Sequence, residues 1–491
     1  MTSFALFTDV AAVAVALSSA VAPPAPPSQE ALDAAIARGT EIILAMQETG
    51  DPPLRVAVGG SDGEGAVVEA SEWPYEGVYR VRGQIPVGYR IGGTSICALA
   101  LLEAPGYAED ARRHEAIARA TRFVCAALDH PLMNPKYDGG YDVRGWGHCY
   151  ALHLLLALSR HGAVPEGMEE EVARRTTELI AALEATEIPE IGGWSYSRPQ
   201  GWVPSPVSPF MTAPVLQALM AAKRQGHAVD DGVVERALDA LERCRTPSGS
   251  WAYAADGRSP PRRDATPGAT GRMLSGESVL LAAGRGSIPQ VRGALDAFIA
   301  HWERLEERRA QTGTHLPPFG VAPYYFYFAH WHAAQAIGQL PPGERPEYAR
   351  RTLELLFRTR DEEGRWNDRV FPRSAAYGTA CAILSILATQ AATTAADLAA
   401  PAAAPAAAPQ RGRRRGGGDP MPVPVPSPGS GPDAAPDSAP ESASLQAPVQ
   451  APTERPTQPN AISVRRPGAP IAPACGMRHS RWAASDSRIA S

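Results

Sequence analysis

Two kinds of apolar stretch alternate along this chain. In the first kind, apolar residues fall at i, i+3, i+4 and i+7 with Arg and Glu between them, the spacing of a helix with one wet face. Six such stretches are predicted: ALDAAIARGTEIILAMQ (31–47), HEAIARATRFVCAAL (114–128), EEEVARRTTELIAALEA (169–185), VVERALDALERCR (233–245), QVRGALDAFIAHWERL (290–305) and EYARRTLELLFRTR (347–360). In the second kind charge almost vanishes: GGTSICALALLEA (92–104), WGHCYALHLLLALSR (146–160), PFMTAPVLQALMAAKR (209–224), LSGESVLLAAG (274–284), YYFYFAHWHAAQAIGQL (324–340) and YGTACAILSILATQ (377–390). Helices with so few charges are expected to be buried on most sides. Between the two kinds lie Gly/aromatic loops such as GGYDVRGW, GGWSYS, GSWAY and GRWND. Gly permits the positive φ of a helix-ending turn, and the aromatic can plug the gap between neighbouring hairpins.

The alternation is a repeat, and a repeat decides the fold. The apolar helices begin near Gly92, Trp146, Pro209, Leu274, Tyr324 and Tyr377, which by subtraction are 54, 63, 65, 50 and 53 residues apart. Two helices and two loops fit that period. About six hairpins, each with one wet and one dry helix, predict an all-α fold of two concentric layers. The dry helices line the inside and the amphipathic helices coat them.

The unit of amphipathic helix, Gly-x-Trp or Gly-Gly-Trp loop and apolar helix opening with Tyr-Gly-Thr-Ala resembles the prenyltransferase/squalene-cyclase repeat. RTLELLFRTRDEEGRWNDRVFPRSAAYGTACAILSILA (351–388) is the clearest copy; WGHCYALHLLLALSR and GGWSYSRPQ…FMTAPVLQALMAA are further ones. The resemblance covers roughly residues 30–390 and implies an α/α toroid of six inner and six outer helices. It also implies a pocket at the mouth where the inner helices begin.

The chemistry of that family does not carry over. Its proton-donating cyclases use Asp-x-Asp-Asp. The one Asp-Asp here, Asp230-Asp231, follows Ala228-Val229 and opens an outer helix, where acids suit the helix dipole. Protein prenyltransferases use Asp-x-Cys with a distant His as zinc ligands, and the nearest form is Glu242-Arg243-Cys244. The Cys-Gly-Glu-Gln motif of thioester-bearing toroids is absent. Fold likeness does not give function.

Candidate residues therefore come from position. Glu277 is an acid near the start of an apolar helix, either a general acid with a raised pKa or a helix cap. His148, in Trp146-Gly147-His148-Cys149-Tyr150, resembles the His segment of prenyltransferase β-subunits; it reads as a general base, a metal ligand or a buried capping His. His330 and His332 stand two residues apart, about 200° around a helix, so they cannot clamp one metal together and one should face the cavity. Trp146, Tyr150, Tyr324, Tyr327, His330 and Tyr377 are the candidate ligand-binding residues. The run Tyr324 to Phe328 could hold a hydrophobic ligand or serve as core. Asp138 and Asp142 read as turn residues. No metal set and no cofactor motif is read.

Composition adds boundaries. The chain has 491 residues and net charge −5, which gives no footprint for nucleic acid. Of six cysteines none forms a CxxC pair. Cys97 and Cys381 should meet where the ring closes, as buried thiols or, in an exported protein, as a disulfide. Residues 1–20 read as a signal peptide cleaved after Ala20, 21–27 as a Pro-rich linker and 28–390 as the toroid. Residues 391–491 read as a disordered Ala/Pro-rich tail, since 18 of the 48 prolines lie at or beyond Pro401. Its Arg411-Gly412-Arg413-Arg414-Arg415 run reads as solvated charge. No further run is expected to span a membrane. Two functions stay open: an exported binding or interaction module with a protein partner, or an enzyme or carrier for an isoprenoid-like hydrophobic molecule in the central cavity.

Overall fold

In the computed structural model the twelve stretches are twelve α-helices. The structure describes residues 26–49, 54–56, 66–68, 71–77, 79–81, 83–137, 143–195, 206–255, 266–309, 311, 325–368, 371–394 and 397. The leader, all but two residues of the linker, nearly all of the tail, Asp138, Asp142 and Tyr324 lie outside them. The chain divides into two units, Met1–Ala408 and Pro409–Ser491, and the helices belong to the first.

The amphipathic helices are α1 (Gln29–Ala45), α3 (Ala111–Ala127), α5 (Glu169–Ala185), α7 (Asp231–Glu242), α9 (Ile288–Arg309) and α11 (Arg345–Phe357). The apolar ones are α2 (Val87–Glu103), α4 (Arg144–His161), α6 (Pro209–Arg224), α8 (Thr266–Ala282), α10 (Tyr325–Ile337) and α12 (Ser374–Ala392). Each apolar helix packs on the next, from α2 through α4, α6, α8 and α10 to α12, and α12 packs back on α2. That closed inner ring defines an α/α toroid. Each outer helix packs mainly on the inner helix before it: α3 on α2, α5 on α4, α7 on α6, α9 on α8 and α11 on α10. The first helix completes the circle, because α1 packs on α12.

Burial follows the pattern. On α7 the buried residues are Val233, Ala237, Leu238, Ala240 and Leu241, one stripe of the helix. On α12 nearly every residue from Ser374 to Ile386 is buried. Hydroxyls inside such helices need partners. Ser385 donates to the Cys381 carbonyl at 2.7 Å and Thr389 to the Ser385 carbonyl at 2.8 Å, so the helix satisfies them itself. By length and mean hydropathy alone α12 could cross a membrane, contrary to expectation; here 72% of its apolar window is buried.

Four inner helices begin earlier than the pattern predicts, α4 and α12 by two or three residues, α2 at Val87 instead of Gly92 and α8 at Thr266 instead of Leu274. The first turn of α8 contains Pro267 and Gly268, and Gly271 follows, which read as loop. Pro is tolerated in a first helical turn, where its missing N–H has no partner to lose. Four short strands between α1 and α2 were not anticipated. Glu48–Thr49 (β1) pairs antiparallel with Ser71–Glu72 (β4), and Leu54–Val56 (β2) with Ala66–Val68 (β3). Cys97 and Cys381 are buried free thiols. Burial holds the Cys97 thiol well above its ordinary range, and nearby Cys381 adds to the effect.

Candidate functional site

One position recurs in all six inner helices: Thr94, His148, Thr212, Glu277, His330 and Thr379. By subtraction these are 54, 64, 65, 53 and 49 residues apart. In three repeats a Thr Oγ1 accepts the backbone N–H of a loop Trp. Trp73 donates to Thr94 at 3.0 Å, Trp194 to Thr212 at 3.0 Å and Trp366 to Thr379 at 3.2 Å. The indoles of the same tryptophans donate to carbonyls near the ends of outer helices: Ile43 at 2.7 Å, Leu183 at 2.8 Å and Leu356 at 3.0 Å. Each Trp thus ties an inner helix to an outer one. That is the physical role of the Gly/Trp loops.

The other three repeats place ionisable side chains in this register, and each again holds a neighbouring element. Glu277 accepts the Trp251 indole N–H at 3.0 Å and both arms of the Arg245 guanidinium, at 3.0 and 2.5 Å. It lies about three turns into α8, so it does not cap that helix. His330 Nε2 accepts the indole N–H of Trp302, from outer helix α9, at 2.8 Å. His148 Nε2 donates to the Met133 carbonyl at 2.9 Å, which fixes the proton on Nε2. Its Nδ1 has no hydrogen-bond partner among the described residues. Burial lowers the His148 pKa to about 4, helped by Arg144, and that of His330 to about 3, helped by Arg309. Both rings are neutral at pH 7.

The aromatic candidates divide. Trp146, Tyr150 and Tyr377 meet in one buried cluster. Trp146 lies 5.0 Å from Tyr150 and 6.3 Å from Tyr377 between ring centroids, and Tyr75 lies 4.6 Å from Tyr377. Tyr327 turns outward instead, its hydroxyl donating to Thr359 at 3.2 Å.

A cavity of about 320 Å³ lies on the other face of the inner helices. Five residues along a helix is about 500°, or 140° from the starting direction. The residues five beyond the tying register are Leu99, His153, Gln217, Ala282, Gln335 and Leu384. All except Ala282 line this cavity. Glu103, Arg160 and Ala391 lie at its edge. These come from the ends of α2, α4 and α12. This cavity is not the pocket expected where the inner helices begin: its lining comes from their middles and C-terminal halves. Of the nominated residues, Tyr150 lines it. His148 lines a separate surface groove of about 330 Å³ beside Asp129 and Arg175.

His332 lines the cavity, 2% exposed, while His330 points to α9. Neither ring nitrogen of His332 meets hydrogen-bond geometry with another described group. Burial lowers its pKa to about 3, with neighbouring His153 adding to the effect. His153 Nε2 donates to the Pro214 carbonyl at 3.1 Å, and its pKa falls to about 4 through burial. Sequence reasoning did not nominate His153, Gln217 and Gln335. The available signal was a polar residue recurring at one register of helices otherwise nearly free of polarity.

Among the described residues no three His, Cys, Asp or Glu side chains group as metal ligands. No protein-family model matches the chain, and no curated protein matches it. Solved structures do. An α-1,6-mannanase variant of Salegentibacter sp. HEL1_6, solved with α-1,6-mannotriose, shares 10% identity over 74% of this chain and 99% of its own, with a TM-score of 0.45. Cellobiose 2-epimerase from Spirochaeta thermophila shares 14% identity over 73% and 96%, with a TM-score of 0.44. The type II terpene cyclase MstE variant from Scytonema shares 13% identity over 74% and 98%, with a TM-score of 0.42. Likenesses this distant do not bear on activity. The assignment to the α/α toroids rests on the closed inner ring itself.

Proposed function

We propose that this chain is a non-catalytic α/α toroid that binds a small molecule in its axial cavity. The observation that supports this most is the shared register of Thr94, His148, Thr212, Glu277, His330 and Thr379. The acid and the bases nominated for chemistry sit where other repeats place Thr, and they do the same work of tying elements together. A general acid or base needs hydrogen-bond reach to a reacting atom. Glu277 has both carboxylate oxygens engaged by protein donors. The His148 and His330 rings, 2% and 0% exposed, each use one nitrogen on a structural partner.

Native mass spectrometry of the full chain, with extraction of co-purifying molecules, tests this reading. The expected result is a one-to-one small-molecule adduct, recovered unchanged after incubation with excess. Steady conversion of that molecule into a product would overturn the non-catalytic part. A bare mass that takes up nothing from a mixture of small molecules would overturn the binding part.

A further inference from the structure

We infer that the axial cavity takes an uncharged alcohol: a hydroxyl held between His332 and the Gln217–Gln335 pair, with an apolar body against Tyr150, Trp331 and Leu384. This rests on the binding role proposed above and narrows it to a chemical class. A buried polar side chain without a well-made hydrogen bond is costly, and among the described residues neither ring nitrogen of His332 has one, its polar neighbour being the Gln335 side chain. Both belong to a residue that lines the cavity. A neutral imidazole presents one N–H donor and one lone pair. The two point apart, so one hydroxyl meets one of them, and because it can donate or accept it suits either.

Gln217 and Gln335 add to the polar end. The Gln217 amide N–H reaches the Gln335 carbonyl oxygen at 3.4 Å, a long contact that a ligand hydroxyl could replace. Unpaired charge is what the site lacks among the described residues. The charged groups among those lining the cavity are Glu103 and Arg160, which pair with each other at 2.5 Å. A carboxylate or ammonium entering here would lose its hydration and gain no opposite charge. The held neutrality of His332 and His153 acts in the same direction, since burial disfavours their protonated forms. Size agrees: about 320 Å³ lies at the lower end of small-molecule sites, roughly 300–1,000 Å³.

The test uses isothermal titration calorimetry of the full chain at pH 7.5 with 1-octanol, octanoate and octylammonium, which share a chain and differ in charge. The expected result is saturable octanol binding at least about tenfold tighter than either ion. His332→Phe keeps a ring but removes both nitrogens and should weaken octanol by about threefold to tenfold, the worth of one net hydrogen bond. Ala388→Trp, at a partly buried position in the wall, should fill the cavity and abolish binding while the thermal midpoint is kept. Equal affinity for octanol and either ion would overturn the class. So would octanol binding unchanged in both variants. A native-mass adduct beside a silent alcohol series would sink the alcohol assignment alone and leave the binding reading standing. Silence in both experiments would sink the two together.

Discussion

A carboxylate on the buried face of an apolar helix is held there only if its charge is met. Glu277 is 6% exposed and is met by two Arg245 nitrogens and one indole N–H. Arg245 also stacks over the Trp251 ring, 5.6 Å from its centroid, so the three side chains form one unit. Glu277→Gln keeps an oxygen for Trp251 but removes the charge facing Arg245. Glu277→Leu strands both donors. Breaking a fully buried pair costs roughly 3–5 kcal/mol, and Arg245, 25% exposed, keeps some access to water. The expected losses in urea unfolding are therefore about 1 kcal/mol for Gln and about 2–3 kcal/mol for Leu. If Glu277→Leu were as stable as the parent, the structural role assigned to this acid would be wrong. Catalysis predicts another signature, a lost turnover in Glu277→Gln with stability kept.

At the scale of the helix and its loop, close approach is what the Gly-Thr pair provides. A Cβ on Gly378 would lie 2.4 Å from the Trp366 carbonyl oxygen, so α12 and the loop could not meet where Thr379 receives the Trp366 N–H. Ala favours a helix over Gly by about 1 kcal/mol. Gly378→Ala would thus stabilise α12 if only propensity mattered. We expect a net loss of about 1–3 kcal/mol instead, from overpacking, measured by chemical denaturation. Gly276, whose added Cβ would stand 2.3 Å from the Trp251 ring, should respond in the same direction. These loops also mark how much the chain discloses before folding. The twelve helices were legible because the wet and dry patterns differ and repeat. The early start of α8 was hidden because its Gly268 and Gly271 imitate a loop. Gly271 in fact allows close contact, its added Cβ lying 3.3 Å from Ala329 on α10. The cavity was less legible still. An isolated acid or His stands out in sequence, so Glu277 and His148 drew attention. Which side of each helix faces the axis emerges only when the six repeats are set in register. His330 and His332 illustrate this: their opposed directions followed from helical geometry, yet only the ring decides which one meets Trp302.

Across the whole ring, three buried histidines, His148, His330 and His332, and the half-buried His153 bear on acid stability. The pKa of His148 and His153 falls to about 4, and that of His330 and His332 to about 3, against about 6.5 in an unfolded chain. Depressed values mean that the unfolded chain binds more protons between those limits, so stability rises with pH there. The stabilisation is complete above about pH 6.5 and is lost as pH falls toward 4. We expect a lower thermal midpoint at pH 5 than at pH 7.5, and a smaller difference in His332→Phe. An equal difference in the variant would mean that His332 is not buried neutral. Closure of the ring makes a second demand on the whole chain. The outer wall of α12 is covered by α1, whose start at Gln29 lies by subtraction 345 residues before that of α12 at Ser374. Gly39 of α1 sits so near α12 that an added Cβ would touch Ile383 at 3.0 Å and Thr379 at 3.1 Å. The seam is fastened by Arg38 donating to the Glu363 carbonyl at 3.0 Å and by Arg373 paired with Glu48 at 2.7 Å. Leu32, Ala35, Ile36 and Ile43 are buried on α1. Removing residues 1–45 therefore uncovers the apolar face of α12, and contiguous apolar surface of that kind drives association. The truncated chain is expected to bind a hydrophobic dye and to elute as larger species than the parent in size-exclusion chromatography. Adding a peptide of residues 26–49 should restore the parent's elution, because the seam it fills is already shaped by α12 and α2. A truncated chain that eluted like the parent and kept its thermal midpoint would mean that the inner ring holds itself closed without its first helix.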